Sequence, residues 1–137
     1  MDCIFCKIIN GDIPSFKVYE DDAVYAFLDI SQVTMGHTLV IPKNHVKNIY
    51  GLDEETAKNV FKVIPRLAKA LKKTFDLEGL NIINNNDKPL QSVYHFHIHL
   101  IPRYPNDDLR LGMKNNQDNY QQEDYKSLAE SIKASLY

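Results

Sequence analysis

The residues that stand out in this chain as able to do chemistry are five histidines and two cysteines, and three of the histidines sit at spacing two: Tyr94-His95-Phe96-His97-Ile98-His99-Leu100. In an extended strand alternate side chains share a face, so His95, His97 and His99 point one way and Phe96, Ile98 and Leu100 the other. The apolar face is ordinary sheet packing. The imidazole face is not, because each ring carries two nitrogens that need partners when buried. A solvated strand face, a metal-binding tract or satisfied core histidines would each account for a single residue. Strict alternation inside an apolar run, with His37 and His45 flanking one earlier strand, points to a built site instead. Neutral imidazole can act there as nucleophile, proton carrier or metal ligand.

The two cysteines, Cys3 and Cys6, lie in Cys-Ile-Phe-Cys at the start of the sequence. A disulfide in so short a loop would constrain little chain, and a reducing compartment disfavours it. A thioredoxin-like redox pair belongs after a strand, at a helix N-terminus. Two thiolates three residues apart can also share one Zn²⁺, with histidines completing a tetrahedron. Here the pair opens the chain, so metal binding is the stronger reading than a redox pair, although no classical zinc-finger spacing follows to name zinc.

The elements that must position these groups are legible in outline. A chain of 137 residues, 44% hydrophobic and 25% charged, reads as one domain, 1–137, with a core of its own. A formal charge of −2 and pI near 6.2 offer no broad attraction to nucleic acid or to an anionic membrane. No apolar run approaches the ~20 residues of a membrane span, and the first residues lack a basic-then-apolar leader pattern, so the expected setting is cytoplasmic. Lys7-Ile8-Ile9 suggests a short helical turn ended at Asn10-Gly11-Asp12. Residues 16–20 and 23–29 read as a hairpin, and 35–42 as a strand stopped by Pro42. Asp29 closes its strand as a turn former or as an acceptor for a ligand's hydroxyls.

From Asp53 to about Asp76 runs the clearest helix, with Asp53 as N-cap, Glu54 and Glu55 at its positive end and Lys72 and Lys73 at the other. Ala57, Val60, Phe61, Ile64, Ala68, Leu71 and Phe75 recur at helical spacing as the face that covers a sheet, and Pro65 predicts a kink. Residues 80–84 form a strand, 85–89 a polar turn, and the histidine stretch a strand over 92–101. Residues 106–122 are polar and without period. A final amphipathic helix, about 122–136, carries Tyr125, Leu128, Ala129, Ile132 and Leu136 on one side. Five strands in hairpin-like order, one long helix and one C-terminal helix give an α+β class with a mainly antiparallel sheet.

The pattern Gln91-Ser92-Val93-Tyr94-His95-Phe96-His97-Ile98-His99-Leu100-Ile101-Pro102-Arg103 resembles the signature of the histidine triad (HIT) superfamily, in its nucleoside-phosphoramidase-like (HINT) branch. The resemblance extends over about residues 3–104, leaving 105–137 as a C-terminal loop and helix. It implies a five-stranded antiparallel sheet with helices on one side, and a homodimer joined into ten strands. It also implies cleavage at the α-phosphate of purine nucleoside phosphoramidates or adenylates, of adenosine or guanosine type, through a nucleotidyl-histidine intermediate and with no organic cofactor. Carried over by position, His97 is the nucleophile, its tautomer fixed by a backbone carbonyl. His99, His37 and Ser92 bind phosphate oxygens. Asp29 accepts the ribose hydroxyls, Ile4, Phe5, Phe27 and Ile30 line the base pocket, and Asn84 and Gln91 lie near the phosphate. Members with an N-terminal Cys-x-x-Cys hold a structural zinc, which here would use Cys3, Cys6, His45 and His95. Lys88-Pro89-Leu90 departs from the glycines many members carry before the Gln-Ser pair, and the C-terminal segment differs from that of the eukaryotic phosphoramidases. The alternatives are a hydrolase or phosphorylase of dinucleoside polyphosphates such as diadenosine tetraphosphate, and a zinc-stabilised nucleotide-binding module without turnover.

Overall fold

The computed structural model describes residues 2–136. Its centre is one five-stranded sheet, antiparallel at every pairing, built from β1 (Lys17–Glu20), β2 (Val24–Leu28), β3 (Thr38–Pro42), β4 (Gly79–Ile83) and β5 (Ile98–Arg103) in the order β1-β2-β3-β5-β4. Alternation along the strands divides the core in two. Val24, Ala26, Val40, Phe96, Ile98 and Leu100 face one side, while Tyr25, Phe27, Leu39 and Ile41 face the other.

The first side is covered by α2 (Glu54–Thr74), whose N-cap Asp53 accepts from the Thr56 amide at 2.7 Å. Its buried face consists of Thr56, Val60, Val63, Ile64, Leu67 and Leu71. Val63 and Leu67 therefore belong to the face, and Phe61, which periodicity placed there, is 48% exposed. One step along a helix turns a side chain by 100°, so Phe61 cannot share the direction of both Val60 and Ile64 once the helix axis is fixed by packing. The helix continues through Pro65 on its exposed side, where water can take the carbonyl that proline leaves unpaired.

The second side is covered by α1 (Ile4–Ile9), through Phe5 and Ile8. The helix starts three residues earlier than its sequence suggested, because Cys3 Sγ caps it by accepting from the Cys6 amide at 3.4 Å. It lies across the sheet from α2, so the helices do not share one side.

The histidine stretch is a strand only from Ile98 onward. Before that the backbone finds other partners: the Phe96 amide donates to Val46 O, and His97 O accepts from Asn84 Nδ2 at 2.9 Å. The alternation nevertheless persists, since Phe96, Ile98 and Leu100 enter the α2 core. Beyond Arg103 the chain is held by the Tyr104 hydroxyl, which donates to Met35 O at 2.7 Å, and by a clamp on Arg103. Arg103 donates to both carboxylate oxygens of Asp107 (2.7 and 2.9 Å), to Asn81 Oδ1 and to Leu109 O. The guanidinium holds the Asp107 carboxyl well below the usual range. Past the clamp lies α3 (Gln122–Ala134), which has no buried residue, and its apolar stripe of Tyr125, Leu128 and Ile132 is open.

Candidate active site and metal centre

Register brings the functional groups to one end of the sheet. Phe27 pairs with Leu39 and Leu39 with His99, so these three side chains form a row across β2, β3 and β5 on the α1 side. Asp29 follows the end of β2 and His37 precedes β3, where the Asp29 amide donates to His37 O at 3.0 Å. The result is a cleft of roughly 450 Å³ whose floor is that row and whose walls come from α1 and from the residues after β2.

Ile4, Phe5, Phe27, Asp29, Ile30, Ser92, His97 and His99 all line it. Asn84, Gln91 and His37 do not. Gln91 is buried, with Nε2 donating to Lys47 O and Val93 O and Oε1 accepting from the Asp87 amide, so its capacity is spent tying its own loop to the segment between β3 and α2. Asn84 donates to His97 O and accepts from Asn86 Nδ2. His37 stands behind His99. Ile8, Ile13, Pro14, Ser15 and Leu39 also line the cleft, and the sequence reading missed them. Leu39 was within reach, since it lies two residues from His37 on a strand. The segment 13–15 was not, because only the turn at Gly11, with φ +82°, folds it back over the sheet.

Each triad ring has a defined partner. His97 is 5% exposed, and its Nδ1–H donates to His95 O at 2.7 Å, which leaves the Nε2 lone pair free. The rings of His97 and His99 meet edge-on with centroids 5.0 Å apart. His99 Nδ1 lies 2.9 Å from His37 Nε2, and the Val33 amide donates to His37 Nδ1 at 3.3 Å. With its Nδ1 lone pair engaged, His37 carries its proton on Nε2, and that Nε2–H donates a hydrogen bond to His99 Nδ1. His99 then presents an Nε2–H donor. Burial lowers the pKa of all three rings, that of His99 to about 4, with the Asp29 carboxylate opposing the shift. Near neutral pH the row is therefore uncharged, with a free nitrogen on His97 and a donor on His99.

Beside it a second cluster converges: Cys3, Cys6, His45 and His95, with ligand atoms all within 4.8 Å of one another. The Cys3 Sγ–His95 Nδ1, Cys6 Sγ–His45 Nδ1 and Cys6 Sγ–His95 Nδ1 distances are 3.5, 3.5 and 3.6 Å. A tetrahedral zinc with bonds of about 2.3 Å to sulfur and about 2.05 Å to nitrogen requires S···N edges of about 3.6 Å. His95 is fully buried and its Nε2–H donates to Pro42 O at 2.8 Å, so its Nδ1 lone pair is the one turned to the thiols. Burial also pushes its pKa down to about 4, keeping the neutral form a ligand needs. The donor set thus fits a closed four-ligand metal site.

Asp29, His37 and His99 also lie within such a distance of one another. They fit a metal poorly. The Val33 amide occupies His37 Nδ1, so a cation on Nε2 would have to displace the ring's only proton.

Comparison with known proteins follows this geometry. The family model described as HIT domain matches residues 10–106. A crystal structure of a HIT-family member from Bacillus subtilis superimposes with a TM-score of 0.98 at 52% identity, covering 100% of this chain and 99% of that one. An adenosine 5′-monophosphoramidase of Schizosaccharomyces pombe is 36% identical over 137 residues, covering 99% of each chain. A Zn-bound histidine triad family protein from Mycobacterium smegmatis has a TM-score of 0.75 at 34% identity, covering 98% of this chain and 99% of that one.

Proposed function

The chain belongs to the HIT family, and from that premise we propose that it hydrolyses purine nucleoside phosphoramidates or related adenylates through a nucleotidyl intermediate on His97. The observation that carries this reading is the His97 ring itself. Its Nδ1–H is committed to His95 O, so the free Nε2 lone pair stands in the cleft beside a neutral His99 donor. In the first step Nε2 attacks the α-phosphorus and the P–N bond breaks, the amine leaving with a proton drawn from solvent that the attacking water returns in the second step. In the second, water attacks the same phosphorus, the P–Nε2 bond breaks and the nucleotide is released with His97 restored. His99 Nε2–H and the Ser92 hydroxyl donate to the non-bridging oxygens, where charge builds in each transition state. His37 acts through His99, holding its tautomer. Asp29 accepts the ribose hydroxyls while Phe5, Phe27, Ile4 and Ile30 enclose the base. Asn84 and Gln91, proposed near the phosphate from the resemblance, act here by holding His97 O and the loop before Ser92.

Zinc is the metal proposed for Cys3, Cys6, His45 and His95. With four protein ligands it would tie the N-terminus to the sheet and leave no position for water or substrate. The two free thiols it needs suit a reducing, cytoplasmic setting. Among the described residues no helix is long and apolar enough to cross a membrane. Two copies pair as a homodimer: β4 ends the sheet order with one edge unpaired, and the open stripe of α3 needs a cover.

The test is steady-state hydrolysis of an adenosine phosphoramidate and of diadenosine tetraphosphate by wild type and His97→Ala. The expected result is preference for the phosphoramidate and a loss of at least ~10³-fold in the variant. Preference for the dinucleotide would keep His97 as nucleophile and change the substrate. Equal activity of variant and wild type would remove His97 as the nucleophile, and no turnover with AMP still bound would replace the enzyme with a binding module.

A further inference from the structure

The metal cluster and the cleft share one element. α1 has six residues, fewer than an isolated helix needs to persist, and its cap is a cysteine sulfur. Cys3 at that cap and Cys6 in the following turn aim their sulfurs at His45 and His95. From the same helix Ile4, Phe5 and Ile8 form one wall of the cleft. Phe5 stands between the two sites, its ring edge-on to His95 (5.9 Å), His97 (5.2 Å) and Phe27 (5.5 Å).

His95 supplies a second link. Its Nδ1 faces the thiols, its Nε2 is fixed to Pro42 O, and its carbonyl accepts a hydrogen bond from His97 Nδ1–H at 2.7 Å. The residue that would hold the metal is therefore the one that orients the reactive ring. Without a metal, the only charged tie on α1 among the described residues is the exposed Lys7–Asp2 pair, and such pairs contribute little.

We propose that the metal at Cys3, Cys6, His45 and His95 is an effector of nucleotide binding: by latching α1 it forms the wall that Phe5, Ile4 and Ile8 give the cleft, so metal and nucleotide bind cooperatively. The proposal rests on the nucleotide and zinc readings above. Linkage makes the effect reciprocal, each ligand raising the affinity for the other by one common factor.

The experiment uses AMP and zinc on the full chain. AMP affinity is measured by calorimetry on zinc-loaded protein and after chelation, and zinc affinity against a competing chromogenic chelator with and without saturating AMP. Both are repeated on Phe5→Ala, which keeps all four ligands. AMP should bind at least tenfold more weakly without zinc (about 1.4 kcal/mol), AMP should tighten zinc by the same factor, and both effects should shrink in Phe5→Ala. Amide exchange in β2 and β3 reports whether the stripped protein stays folded. If it does not, the zinc-affinity arm on native protein decides, and a zinc affinity indifferent to AMP, or an AMP effect undiminished in Phe5→Ala, overturns the proposal. Equal AMP affinity with and without zinc overturns the coupling and leaves the nucleotide reading standing. No AMP binding to either form removes the nucleotide reading, and the coupling with it.

Discussion

Asn84 offers a test of how His97, the proposed nucleophile, is held. Its Nδ2 donates to His97 O at 2.9 Å and its Oδ1 accepts from Asn86 Nδ2, so the residue following β4 fixes the backbone of His97 just before β5 begins. Asn84→Ala removes the donor from a part-buried carbonyl. The expected cost is about 1–3 kcal/mol, the range for leaving such a group unsatisfied. Asn84→Asp keeps the shape but sets an acceptor where the donor stood, so near neutral pH two oxygens would face each other at the former hydrogen-bond distance. It should lose more stability than Asn84→Ala despite being nearly isosteric. If His97 then drifts by about 1 Å, turnover should fall by up to ~10²-fold. Urea unfolding gives the stability order, and phosphoramidate hydrolysis the rate. An Asn84→Asp protein within about 0.5 kcal/mol of wild type and equally active would show that the amide does not position His97. A loss of rate with unchanged stability would assign Asn84 to substrate contact instead.

Stability should decline with acid in a defined window. Burial holds the pKa of His99 at about 4 and lowers that of His37, whereas both titrate near 6.5 in an unfolded chain. Below about pH 6.5 the unfolded chain binds more protons, so this contribution is complete above that pH and is lost as pH falls toward about 4. Urea midpoints taken from neutral pH down to about pH 5 should decrease, and a rising midpoint would refute the assignment. Leu67→Ala, at a side chain 5% exposed, should cost about 2–5 kcal/mol, while Phe61→Ala, at one 48% exposed, should cost about 1 kcal/mol or less. Equal losses in thermal unfolding would mean that α2 presents a different face to the sheet.

Local chemistry made much of the molecule readable in advance. The two-residue period of His95, His97 and His99 separates imidazole from core whether or not the backbone is paired, because alternation follows from extended dihedrals and not from the ladder. Asp53, the Glu54–Glu55 pair and the spacing of Val60, Ile64 and Leu71 define α2 through capping and periodicity, both properties of neighbouring residues. The antiparallel, five-stranded class followed from the order of hairpin-like runs.

What depended on contacts distant in sequence was decided only by folding. One histidine row is divided between two clusters because Cys3 and Cys6, some ninety residues away, meet His95 but not His97. Strand pairing stops at Ile98 because Val46 and Asn84 capture the preceding backbone. The turn at Gly11 folds Ile13, Pro14 and Ser15 over the cleft, and packing chose Val63 and Leu67 over Phe61. The amino-acid sequence by itself determined which groups were available and which way each would face along its own segment, since those are short-range steric and hydrogen-bonding preferences. Only the tertiary structure decided which groups became neighbours, because that choice is made by register and burial summed over the whole sheet.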